Sequence, residues 1–229
     1  MSQDEQKQAA GELAASWVES GMVVGLGTGS TAAFAISAIG ARIADGQLHG
    51  VVGIPTSRAS EAAAVIAGVP LTTLAEQPVV DLTIDGADEV DPDLNLIKGA
   101  GGALWREKMV AQASVREVIV VDESKLTDQL GGRVALPVEV AVFGWRPESD
   151  YLDDLGAGVA IRRAGGGAEY TTDEGNWILD CAFPPIADPV RLSDRMSRRA
   201  GIVEHGLFLG LATDLLVASA NGVEHRTRP

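Results

Sequence analysis

The chain of 229 residues carries a formal net charge of −14, with 18 basic residues against 32 acidic ones. A polyanion is repelled by such a balance, so no nucleic-acid partner is expected. Nor does any apolar run approach the roughly 18 residues of a membrane span, so no membrane-spanning helix is expected. Apolar residues make up 46% of the chain and aromatic ones only 4%, leaving Ala, Val, Leu and Ile to fill the core, as in parallel sheets. The single cysteine, Cys181, rules out an internal disulfide and reads as a buried strand residue. Met1 to Lys7 shows neither the basic start nor the apolar stretch of a secretory signal, so a cytoplasmic protein is expected.

Residues 3 to 19 place Ala10, Leu13, Ala14, Trp17 and Val18 at helical spacing, with Lys7 in the first turns. Met22 to Leu26 reads as a short buried strand, followed by the turn Gly27-Thr28-Gly29-Ser30-Thr31 and an Ala-rich helix to about Ala44. Val51 to Ile54 gives a second strand, and Ser57 is the expected N-cap of a helix running through Ala67. Further strands are expected at Val79 to Ile84 and Val118 to Val121, on either side of a helix from Ala103 to Ser114. Strands alternating with helices predict a parallel sheet with right-handed crossovers. Near Gly131-Gly132 the pattern changes: strand-like Val138 to Ala141, a helix from Pro147 to Leu155, strands near Val159 to Arg162 and Trp177 to Cys181, and a basic helix from about Pro189 to Arg199. Gly206 to Phe208 and Asp214 to Ser219 then return to short apolar strands that would rejoin the first sheet. The fold class expected is α/β: a Rossmann-like parallel-sheet domain, residues 1–130 plus 206–229, with a smaller α+β, ferredoxin-like domain at 131–205.

Three segments carry chemistry. Gly25-Leu26-Gly27-Thr28-Gly29-Ser30 lacks the third glycine of a dinucleotide fingerprint, and the strand after it ends in Ile54-Pro55-Thr56-Ser57 with no acidic residue for a ribose hydroxyl. What remains is a turn whose glycines admit a close ligand and whose hydroxyls stand at a helix N-terminus, which suits one phosphate. Asp85-Gly86-Ala87-Asp88-Glu89-Val90-Asp91-Pro92-Asp93 follows a buried strand at the carboxyl edge, where open α/β sheets bind ligands. Asp85 and Asp88 are the expected functional carboxylates; Glu89, Asp91 and Asp93 read as a solvated loop, with a magnesium site as the lesser alternative. Lys98-Gly99-Ala100-Gly101-Gly102 presents N–H groups beside an ammonium, a pattern suited to a developing oxyanion.

In the helix that follows, Glu107 shares its face with Ala103, Leu104, Val110 and Ala111, whereas Arg106 and Lys108 point elsewhere. Partial desolvation of that kind raises a carboxylate's proton affinity and suits it to accept and return a proton. Only four of the basic residues are Lys, at 7, 98, 108 and 125, and the compact ammonium differs in use from an Arg fork.

Taken in order, Gly25 to Thr31, Asp85 to Glu89, Lys98 to Ala103 and Arg106-Glu107-Lys108 resemble the type A ribose-5-phosphate isomerases, supported by Asp122 to Lys125 and Leu136 to Val140. The resemblance implies an aldose-ketose isomerase of the pentose phosphate pathway that needs no cofactor or metal and works as a homo-oligomer, dimer or tetramer. It puts substrate contacts on Lys7, Thr28, Gly29, Ser30, Thr31, Asp85, Gly86, Ala87, Asp88, Lys98, Gly99, Ala100, Gly101 and Lys125. Glu107 becomes the base, Asp85 the group that assists ring opening, and Lys98 the stabiliser of oxygen charge. Ala100, where some relatives carry glycine, and the bulky Trp105 depart from the pattern, and Phe143 to Tyr170 matches weakly. Two rival readings are a sugar-phosphate sensor on the same fold and a CoA-transferase, whose glutamate would be a nucleophile.

Overall fold

The computed structural model describes residues 2–228, the side chain of Gln3 excepted. In chain order the elements are α1 (Gln3–Ser16), β1 (Val23–Leu26), α2 (Ser30–Ala44), β2 (Val52–Pro55), α3 (Arg58–Ala67), β3 (Leu82–Asp85), β4 (Glu89–Val90) and β5 (Leu96–Ile97). Then follow α4 (Leu104–Ala113), β6 (Glu117–Asp122), β7 (Leu136–Val140), α5 (Trp145–Asp154), β8 (Gly158–Ile161), β9 (Trp177–Ala182) and α6 (Pro189–Ser197). The chain ends in β10 (Ile202–His205), β11 (Leu207–Phe208), β12 (Asp214–Ser219) and β13 (Gly222–Thr227). Two compact units result. The first holds the described residues up to Ala87, Arg106–Leu126 and those from Gly210 on; the second holds Asp88–Trp105 and Thr127–Leu209. Residues 88–105, 127–130 and 206–209, read from sequence with the sheet domain, thus group with the second unit.

The first unit is built on a sheet in the order β13-β12-β6-β3-β1-β2, parallel throughout except for β13. Strands β1, β3 and β6 are buried along their whole length, and β1 and Val118–Val121 of β6 accordingly read as apolar runs rather than alternating ones. Ala10, Ala14 and Val18 from the first helical segment and Ala35, Ile36 and Ile39 of α2 pack into one core with Leu26, Ile84, Val118 and Leu216. Ser57 caps α3 as expected, its hydroxyl accepting from the Ser60 N–H at 3.0 Å. Because β1 lies between β3 and β2, successive connections leave it in opposite directions, and a crevice opens at the carboxyl ends of β1 and β3.

An ion-pair cluster closes the opposite, amino-terminal end of β12. Arg116 grips Asp214 with two 2.7 Å hydrogen bonds and lies over Trp17, while Thr213 donates to the same carboxylate and His225 of β13 stands 2.7 Å from it. The Arg116 guanidinium, foremost, holds the Asp214 carboxyl down to about 2 from an ordinary 3.8. A depressed carboxylate contributes stability that is present above pH ~3.8 and is lost as pH falls through ~2. With Arg116 39% exposed, solvent screening limits that contribution to about 1 kcal/mol. Urea unfolding should therefore show a stability gap between the wild type and Asp214→Asn that shrinks as pH falls from 5 to 2; a constant gap contradicts the assignment.

The second unit follows the order β7-α5-β8-β9-α6-β10, with a four-stranded antiparallel sheet arranged β10-β7-β9-β8. That is the split βαβ arrangement of ferredoxin-like domains. Leu136, Val138, Leu152, Leu179, Cys181 and Met196 form its core. Burial pushes the Cys181 thiol far above its ordinary range, so it is an inert packing residue. A second small sheet, β11-β5-β4, belongs to the same unit. Leu207-Phe208 therefore pairs with Ile97-Leu96 instead of rejoining the first sheet, and only Asp214–Ser219 does so. Strands of two residues carry too little pattern to reveal their partners.

Candidate active site

At the carboxyl end of β1 the chain turns through Gly27-Thr28-Gly29 into α2. The N–H groups of Thr28 and Gly86 both donate to Oδ1 of Asp85, at 3.0 and 2.7 Å, so the last residue of β3 is fixed beside the turn. Asp85 is only 1% exposed. Gly27 is required here because a Cβ would lie 2.3 Å from that same oxygen. Gly29 occupies the N-cap of α2 at φ 109°, a left-handed conformation suited to glycine, and supplies no side-chain cap. The hydroxyls of Ser30 and Thr31 have no side-chain partner among the described residues. An uncapped helix start with two hydroxyls leaves N–H and O–H donors at this end of α2.

Thr28 plays a different part. Its hydroxyl is 2.8 Å from both Thr56 Oγ1 and Ser57 Oγ, and Thr56 also bonds the Leu26 carbonyl. These buried hydroxyls tie the ends of β1 and β2 together. Sequence reading found Ser57 as a cap but missed this second use, because its partner, Thr28, lies 29 residues away. Lys7 on α1 and Lys125, which ends a 3-10 turn after β6, are half-buried, and their ammonium groups have no protein partner among the described residues. Asp122 caps that turn, accepting from the Ser124 N–H at 3.0 Å.

Glu107 lies in the first turn of α4 and is 5% exposed. Ala103, Leu104, Val110 and Ala111 are all buried, so the apolar stripe expected around it is present. Lys108 is buried too, at 6%, which gives the helix a second inward face that the apolar spacing did not reveal. Oδ2 of Asp85 and Oε2 of Glu107 are buried atoms without a hydrogen bond, although both residues are otherwise engaged. A cavity of about 440 Å³ in the same unit is lined by Ile54, Leu71, Leu74, Met109 and Val110. Its lining includes neither Asp85 nor Glu107.

In the second unit, Asp88 accepts from the Ala100 N–H at 2.9 Å, which fastens the Lys98–Gly102 loop to the start of its segment. Lys98 is 2% exposed, with Nζ 5.5 Å from the centre of the Phe208 ring. Ala100 and Gly101 are exposed. The acidic run itself needs correction. Glu89 is fully buried and accepts from the N–H groups of Gly131, Arg133 and Val134 at 2.7, 2.7 and 2.8 Å. It anchors the turn before β7, and is no part of a solvated loop. Asp91 organises a local turn by accepting from Asp93 and Asn95, and Asp93 alone is exposed as expected. Among the described residues, no group of three His, Cys, Asp or Glu is placed to hold a metal ion.

Donors at an uncapped helix start and a fixed carboxylate at the switch point of a doubly wound sheet are the setting in which α/β enzymes commonly take small anionic ligands. The sequence profile of the family described as ribose 5-phosphate isomerase A (phosphoriboisomerase A) matches residues 52–222. The chain is 54% identical over 226 residues to a ribose-5-phosphate isomerase A of Chloroflexus aurantiacus, covering 99% of this chain and 95% of that one. A solved D-ribose-5-phosphate isomerase in complex with phospho-erythronic acid superposes with a TM-score of 0.97 at 35% identity, each chain covered completely. The isomerase A of Methanocaldococcus jannaschii gives 0.94 at 38%, covering 99% of this chain and all of that one. The chain belongs to the ribose 5-phosphate isomerase A family.

Proposed function

We propose that Glu107 moves the proton as this chain interconverts ribose 5-phosphate and ribulose 5-phosphate, the aldose-ketose isomerisation that its family membership assigns. The observation that carries the assignment is a carboxylate 5% exposed on an apolar helix face. Asp85, held by two N–H groups, assists opening of the furanose ring. Glu107 then takes the proton from C2, the C1 carbonyl becomes part of an enediolate, and the same carboxylate returns the proton to C1 as a hydroxyl proton passes from O2 to O1. Lys98 and the N–H groups after it stabilise the charge on oxygen. A positioned base is worth roughly 10² to 10⁴ in rate, and each oxyanion donor about 10² to 10³.

The start of α2 with Ser30 and Thr31, together with Lys7 and Lys125, supplies donors and positive charge for the phosphate in this reading. The net charge of −14 repels an anion at long range, so capture must rest on such local groups. Phospho-erythronic acid, bound by the solved relative, carries a carboxylate where the isomerising substrate gathers negative charge, and we expect it to compete with substrate here. A homo-oligomer, dimer or tetramer, and cytoplasmic residence are proposed on the resemblance alone; sedimentation velocity decides the first. To test the proton route, the protein is incubated with ribose 5-phosphate in deuterated water. Deuterium should enter C1 of the ketose and, on back reaction, C2 of the aldose; migration of hydride without any route through an enediolate would leave both carbons unlabelled even after prolonged incubation with many turnovers.

A further inference from the structure

The Lys98–Gly102 loop is held by a bracket that neither sequence motif nor family resemblance singled out. Arg162, just after β8, donates from one nitrogen, Nη1, to the carbonyls of Gly99 and Ala100 at 2.9 and 3.0 Å. Its Nε and Nη2 bind the two oxygens of Asp180 on β9, which fixes the plane of the guanidinium. Tyr170 lies beside it, the guanidinium carbon 5.9 Å from the ring centre, and donates to the carbonyl of Gly101 at 3.2 Å. Gly102, at φ 80°, packs so closely that a Cβ would fall 2.3 Å from the Tyr170 hydroxyl oxygen. Three successive carbonyls of the loop are thereby drawn to one side.

A trans peptide sets its N–H opposite its carbonyl, so pulling carbonyls 99 and 100 toward Arg162 turns the N–H groups of residues 100 and 101 the other way. The Ala100 N–H accordingly meets Asp88 Oδ2. The Gly101 N–H, one peptide later, donates to no protein group among the described residues. We propose that Arg162, braced by Asp180 and assisted by Tyr170, is a positioning residue that aims the Gly101 N–H at the substrate oxygen on which charge develops. The inference rests on the reading above that this loop contacts substrate, and it names the device that gives the loop its direction. Two glycines in left-handed conformations leave such a loop without a strong preference of its own, so outside contacts must select one arrangement.

The test is kinetic. Arg162→Ala is expected to lower kcat for ribose 5-phosphate by about 10- to 100-fold with KM changed by less than about threefold, since a misaimed donor costs transition-state stabilisation more than ground-state binding. Added guanidinium ion should restore part of the lost kcat, and sodium at the same ionic strength should not; a merely structural role would show no such rescue. Tyr170→Phe removes only the hydroxyl and keeps the ring, so it tests the bracket should Arg162→Ala not fold, and about a threefold to tenfold drop in kcat is expected. A folded Arg162→Ala, or a folded Tyr170→Phe if the first is unstable, with kcat within twofold of wild type overturns the proposal. Glu107→Gln separates it from the underlying reading. Full activity in Glu107→Gln together with a loss in Arg162→Ala removes the proposed base and retains the bracket, whereas the reverse pattern retains the base and removes the bracket.

Discussion

Glu107→Gln should lower kcat for ribose 5-phosphate by about 10²- to 10⁴-fold while substrate binding, measured by calorimetry, stays within a few-fold. The amide keeps the shape of the carboxylate and can still hydrogen-bond, but it cannot take a proton from carbon. Glu107→Asp is the informative companion. It retains the carboxylate one methylene further back and should recover only part of the activity, because proton transfer depends on close approach. Near-normal turnover by a folded Glu107→Gln would remove the assignment of the base without touching the family membership.

The second large effect is on stability. Glu89→Ala should destabilise the protein by about 2–4 kcal/mol, measured by urea unfolding, because it strips one buried carboxylate from three N–H donors at once. Gly131 is itself buried, so water does not readily replace the lost acceptor there. Glu89→Gln should recover only part of that loss: its oxygen can keep the Arg133 and Val134 N–H groups, but its amide nitrogen is then a donor facing the Gly131 N–H. An unfolding free energy unchanged within about 0.5 kcal/mol would show that the turn before β7 is held by other contacts.

Family membership decides between the enzyme and its rivals. A sensor would have no use for a buried base, and a transferase would use its glutamate as a nucleophile; the matched relatives, near full length on both sides, are named as isomerases. The local rules read well wherever one face of an element dominates. Ser57 was legible as a cap because its partner, Ser60, is three residues away. The stripe around Glu107 was legible because helical spacing projects it directly from the sequence. Strand β13 was not legible: Glu224 to Thr227 are exposed, and an edge strand with polar residues lacks the buried face that makes periodicity visible.

The candidate site divides along the same line. Turn chemistry at Gly27 to Thr31, the carboxylate closing β3 and the lysine before a glycine run are each contiguous, and contiguous residues carry their own geometry. Alternating strands and helices likewise determined a parallel sheet with its ligand edge at the carboxyl ends. What only the tertiary structure decided are pairings across long stretches of chain: Glu89 with Gly131 over 42 residues, Thr28 with Thr56 over 28, Arg162 with Gly99 over 63. A hydrogen bond between distant residues leaves no period in either segment. For that reason candidate reacting groups could be proposed from sequence, whereas the contacts that hold those side chains in place appeared only once the chain was folded.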